Sequence, residues 1–117
     1  MKTDELLRVI TAALEDLKAQ DILVLEAGKI TSLFDYMIIA SANSTRQTKA
    51  LANHVQEKVK AAGGKVYSIE GEQTGEWLLV DLGDVVVHIM QPTIREYYDL
   101  ESLWAESSAA KEKNSLM

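Results

Sequence analysis

The stretch "WLLVDLGDVVVHIM", Trp77 to Met90, decides the fold. Two runs of branched aliphatic residues flank Gly83-Asp84, and glycine at the first central position suits a two-residue hairpin turn. With that turn, Leu82 pairs with Val85, Val80 with Val87 and Leu78 with Ile89. Directly opposed residues point to the same side of a sheet, so this side is purely aliphatic and belongs under helices. The other side sets Trp77 opposite Met90, Leu79 opposite His88 and Asp81 opposite Val86. A slip of one residue would exchange the two faces.

An apolar face that carries an indole, an imidazole and a carboxylate suits neither a dry core nor bulk water. Such composition is typical of recognition surfaces, which predicts that the chain's own helices leave this face uncovered. The alternative is that helices cover both faces and His88 is a satisfied core histidine.

Outward from the hairpin, residues 3–19 place Leu6, Leu7, Ile10, Ala13, Leu14 and Leu17 on one helical stripe. Asp4 and Glu5 lie in the first turn, where the helix dipole favours negative charge. "DILVLEA" follows as a continuously apolar strand, "AGK" as a turn, "ITSLFD" as loop and "YMIIASA" as a second buried strand. Ser44 and Gln47 have capping-box spacing at the start of a helix that ends near Gly63-Gly64. Its inner stripe is Thr48, Leu51, Ala52, Val55, Val59 and Ala62. "KVYSIE" is a third strand and "GEQTGE" a polar loop. A last helix starts after Pro92 with a Thr93–Glu96 capping box and carries Ile94, Tyr97, Tyr98, Leu100, Leu103 and Trp104. One of the two tyrosines, with Leu100 and Trp104, is expected to pack inward. The predicted fold class is α/β (α+β): a mixed sheet of about five strands with three helices. Residues 1–105 form one domain, and 106–117 read as a flexible tail.

The chain of 117 residues is 47% hydrophobic, carries a net charge of −6 and has no cysteine, so disulfides, thiolate metal sites and cysteine nucleophiles are excluded. Its amphipathic, acidic start is neither a signal peptide nor a membrane span, and a cytoplasmic location is expected, with no membrane partner. Phosphate-backbone binding rests on lysine and arginine, of which no dense cluster is present, so little or no nucleic-acid readout is expected. A basic protein is the better partner for an acidic chain. The two histidines, His54 and His88, lack metal-ligand spacing; His54 falls near the polar side of its helix, and no metal or cofactor is expected. Asp35, Asp81, Asp84, Glu70 and His88 match no catalytic spacing and read as turn and edge residues. "ASANSTRQ", residues 40–47, ends a strand and opens a helix whose free N–H groups suit an anion. The Ser44 cap accounts for most of that signal, and Arg46 and Lys49 read as solvated charges. A nucleotide-binding or nucleotidyltransferase-like enzyme using Asp35, Asp81 and the Ser41–Thr45 loop is the alternative reading.

Taken together, "KAQDILVLEA", "LFDYMIIASANSTRQ", "EGEQTGEWLLVDLGDVVVHIM" and "REYYDLESLW" resemble the ribosomal silencing factor family, also called Iojap-like, over residues 5–105. The resemblance implies a factor that binds the large ribosomal subunit through ribosomal protein fourteen, prevents joining of the small subunit and represses translation. It also implies a sheet with nucleotidyltransferase-like topology, often in a homodimer. A working nucleotidyltransferase presents Gly-Ser followed by Asp-x-Asp; here "SLFDYMIIASANS" has Asp35 alone, which points to a binding factor and not an enzyme. On the matching positions, Trp77, Leu79 and Met90 are the expected apolar anchor, Asp81 and Glu70 the partners of arginine or lysine, and His88 a hydrogen-bonding neighbour. Val86 and Tyr98 complete the partner-binding set. A third reading makes the same apolar face a homodimer interface.

Overall fold

The computed structural model describes residues 1–104; the tail expected at 106–117 lies outside the described residues. Eight elements follow in the predicted order: α1 (Thr3–Asp16), β1 (Gln20–Glu26), β2 (Tyr36–Ser41), α2 (Thr45–Ala61), β3 (Ser68–Glu70), β4 (Trp77–Asp81), β5 (Val85–Met90) and α3 (Pro92–Tyr98). They build one mixed five-stranded sheet in the order β1-β2-β5-β4-β3. Among the described residues only the β2–β5 pair is parallel, with Tyr36 beside Val85 and Ser41 beside Met90.

The hairpin forms in the expected register. Leu78 faces Ile89, Val80 faces Val87, and the Leu82 N–H donates to the Val85 carbonyl at 2.9 Å. Gly83 takes φ +87°, a conformation that glycine adopts without steric cost. Both helices of the first layer lie on the aliphatic side. Leu6, Ile10, Ala13 and Leu14 of α1 and Leu51, Ala52, Val55 and Val59 of α2 form one core with Leu78, Val80, Leu82, Val85, Val87 and Ile89. Each fully buried aliphatic side chain there contributes about 1.5–3 kcal/mol of transfer free energy. Ser44 caps α2 by accepting the Gln47 N–H at 3.1 Å, and His54, expected to be solvated, instead meets Asp16 of α1 at 3.0 Å.

Several expectations change. α1 stops at Asp16, which leaves Leu17 exposed, and Ala62 lies just past α2 and is exposed too. "DILVLEA" is an edge strand, not a buried one: Val24 is exposed, and the register shifts between Gln20 and Leu23, with Asp21 at φ +49°. No Thr93–Glu96 box forms. Gln91 is the N-cap residue without a side-chain bond, and Pro92 itself opens the helix, where its missing N–H costs nothing. The last helix is also interrupted. Asp99 adopts φ +47° and closes α3, and residues 100–104 are helical again beyond this break.

This break governs the second face of the sheet. α3 and residues 100–104 fold back over its β2 side, where Ile94, Leu100, Trp104, Phe34 and Trp77 pack on Met37, Ile39 and Met90. Phe34 and Trp104 meet with ring centroids 5.8 Å apart. The face predicted to be uncovered is therefore covered over β2 and the end of β5, and open over β4 and the hairpin.

Candidate functional site

The open part of the face holds a groove of about 640 Å³, floored by Leu79, Val86 and His88 of β4 and β5. One wall comes from the β3 side, with Tyr67, Ser68 and Glu70; Leu33, Phe34 and Met37 form the other, and Asp81 and Gly83 close the hairpin end. Alternation along β4 and β5 aims these floor residues away from the helices, and the short edge strand β3 brings Glu70 beside Leu79. The lining contains two carboxylates and no lysine or arginine, and Leu33 at the mouth is 82% exposed.

Of the eight residues expected to bind a partner, five line this groove: Glu70, Leu79, Asp81, Val86 and His88. Trp77 and Tyr98 stand beyond its His88 end, ring centroids 4.8 Å apart, with Tyr98 half-exposed and Trp77 half-buried. Met90 does not fit the expectation. It is 0% exposed beneath α3, because the chain turns back over it directly after β5, so it supports the face from below and has no exposed surface of its own. Tyr97 and Tyr98 are both exposed, whereas one was expected to turn inward; the left-handed residue at Asp99 assigns the inward positions to Leu100 and Trp104. Sequence reasoning missed Leu33, Phe34 and Tyr67. The unbroken "SLF" inside an otherwise polar loop was the available signal.

Trp77 and His88 form one unit. The indole Nε1–H donates to His88 Nδ1 at 2.9 Å. Tryptophan can only donate, so Nδ1 must hold a lone pair and the neutral ring carries its proton on Nε2. Burial pushes the His88 imidazole down from its ordinary 6.5 to about 4. Between those values the unfolded chain binds a proton that the folded one refuses, so this contribution is complete above pH 6.5 and lost as pH falls toward 4. Measured by urea unfolding at pH 7 and 4.5, the parent should lose about 2 kcal/mol more than a His88→Gln variant, which does not titrate. Equal losses would sink the assignment of a buried neutral imidazole. Asp81 has a local duty: its Oδ1 accepts the Gly83 N–H at 2.9 Å and braces the hairpin turn.

The residues of the enzyme alternative are not assembled. Asp35 precedes β2 and Ser41 ends it, which separates them by roughly 20 Å of extended chain. Ser41 is buried, and its hydroxyl accepts from Arg95. Among the described residues no group of three or more His, Asp or Glu side chains is placed to hold a metal, and no helix is long and apolar enough to cross a membrane.

Comparison with known proteins agrees with this architecture. The family model described as ribosomal silencing factor during starvation matches residues 1–116. A ribosomal silencing factor of Chromobacterium violaceum is 53% identical over 104 residues, 89% of this chain and 85% of that one. The Mus musculus protein named mitochondrial assembly of ribosomal large subunit protein 1 is 33% identical over 99 residues, 82% of this chain and 43% of that longer one. A crystal structure of a Chromobacterium violaceum protein superposes with a TM-score of 0.88 at 52% identity, covering 90% of this chain and 88% of that one.

Proposed function

This chain belongs to the ribosomal silencing factor family, and from that premise we propose that it binds the large ribosomal subunit through ribosomal protein fourteen. Bound there, in the cytoplasm, it fills volume that the small subunit needs and represses translation without making or breaking a bond. The observation that carries this reading is the groove: an apolar floor on an exposed sheet face, with Glu70 and Asp81 and no cation in its lining. An apolar surface edged by one sign of charge suits a basic protein, whose arginine or lysine stems lie on Leu79 and Val86 while their charged ends meet the carboxylates. Trp77 and Tyr98 extend the contact surface beyond the groove.

Co-sedimentation tests the reading. The protein should pellet with isolated large subunits, not with joined ribosomes, and should slow subunit joining followed by light scattering. Trp77→Ala should weaken subunit binding about thirtyfold, the effect of losing one aromatic hot spot of about 2 kcal/mol. Equal binding to joined ribosomes would refute the steric mechanism.

A further inference from the structure

Arg95 lies outside the groove, yet its side chain is only 13% exposed and is held at three points. Nε donates to Glu101 Oε2 at 2.6 Å, and Nη1 donates to the Asp21 carbonyl at 2.7 Å and to Ser41 Oγ at 2.9 Å. These acceptors belong to three separate pieces: the bulged start of β1, the end of β2, and the helical residues beyond the break at Asp99. α3 itself buries no residue fully, and Ile94 is its one side chain in the second apolar cluster. A two-turn helix held by one aliphatic side chain can roll about its axis; a planar guanidinium bonded to three fixed acceptors removes that freedom. Tyr98, three residues on, rides on the same roll. Its ring meets Trp77 at 4.8 Å, and Trp77 in turn donates to His88.

We propose that Arg95 is a positioning residue for the recognition face: by pinning α3 it holds Tyr98 on Trp77 and sets the indole before any partner arrives. The inference deepens the proposed function and rests on its choice of face. Ordering an aromatic pair in advance removes a cost that binding would otherwise bear. Lysine cannot replace Arg95, because one ammonium does not span three acceptors with this geometry.

Arg95→Met keeps the aliphatic stem and removes every donor. The expected result is an unchanged far-UV circular dichroism spectrum, a shifted and faster-exchanging Trp77 indole N–H signal in the nitrogen-15 NMR spectrum, and binding to isolated large subunits weakened about tenfold. Arg95→Lys should behave like Arg95→Met. In a Tyr98→Ala background, itself weakened, Arg95→Met should cost less than about twofold more, because the two residues act in series. The same loss in both backgrounds, or weakened binding with an unmoved indole signal, would overturn the proposal; so would a shifted indole with parental affinity. Should Arg95→Met fail to fold, Glu101→Met removes one anchor and leaves two. A smaller indole shift in the same direction supports the proposal, and an unmoved signal overturns it. Failure of the underlying reading looks different: Trp77→Ala would bind like the parent while the indole of Arg95→Met still shifts, and the inference would fall with that reading.

Discussion

Leu79→Lys should leave a folded protein that no longer pellets with isolated large subunits, its affinity reduced about a hundredfold or more, equivalent to about 2.7 kcal/mol. Leu79 lies half-exposed on the groove floor, paired across strands with Glu70 on one side and His88 on the other. In the free protein a lysine there lays its stem over the floor and its ammonium beside Glu70, a cross-strand pair of opposite charge contributing about 0.2–1 kcal/mol. That offsets much of the lost leucine contact, so stability should change by about 1 kcal/mol or less. Binding responds differently. The new cation occupies the position an incoming arginine or lysine needs, and like charges brought together at an interface cost several kcal/mol. Leu79→Met, similar in volume and uncharged, should bind within about threefold of the parent. Asp81→Lys is a less discriminating variant because Asp81 also holds the Gly83 N–H of the turn. A Leu79→Lys protein that sediments like the parent would remove the groove from the interface.

The hairpin was legible because its information is local. Strict alternation and a glycine at the turn fix which residues share a face, and every pair from Trp77–Met90 to Asp81–Val86 formed as read. Which face the helices cover follows almost as directly, since only one is purely aliphatic. The extent of the second face's cover was not legible. It depends on where the chain goes after β5, and that is set by Asp99 in a left-handed conformation that no glycine announces. The apolar positions Ile94, Leu100 and Trp104 suggested one continuous helix. Their actual meeting with Met90 needs the break, and Arg95 gave no sequence signal of the three bonds that hold it.

The groove shows the same limit. Its floor was read from alternation, whereas Leu33 and Phe34 reach it because β2 lies parallel to β5, a long-range pairing that no local pattern specifies. "DILVLEA" misled for the related reason that apolar continuity does not say whether a strand lies at the centre or the edge of a sheet. The functional reading came from the resemblance of four segments in order. Physical chemistry then supplies what that resemblance lacks: a reason why an acidic, half-apolar sheet face should hold a basic partner.

The edge of that face depends on a single glycine, and Gly71→Ala is expected to be among the most damaging single-methyl changes in the protein. Gly71 follows β3 at φ +91°, and a Cβ built on it would stand 2.0 Å from the Trp77 carbonyl oxygen and 3.2 Å from Leu78 Cα. Both are backbone atoms of β4, so no side-chain rotation relieves the clash. The end of β3 must withdraw, taking Glu70 and the groove wall with it. Gly63 provides an internal control, because it has the same φ of +91° and nothing within 4 Å of the added methyl. Gly63→Ala should therefore report conformational strain alone, about 1 kcal/mol. Gly71→Ala carries the same strain plus an overpacking cost, together about 3 kcal/mol, which lowers the melting temperature by about 12 °C. Calorimetry on the two variants isolates the close approach by subtraction. If both lose the same stability, the loop after β3 relaxes without moving the strand, and the contact between Gly71 and Trp77 does not set the position of Glu70.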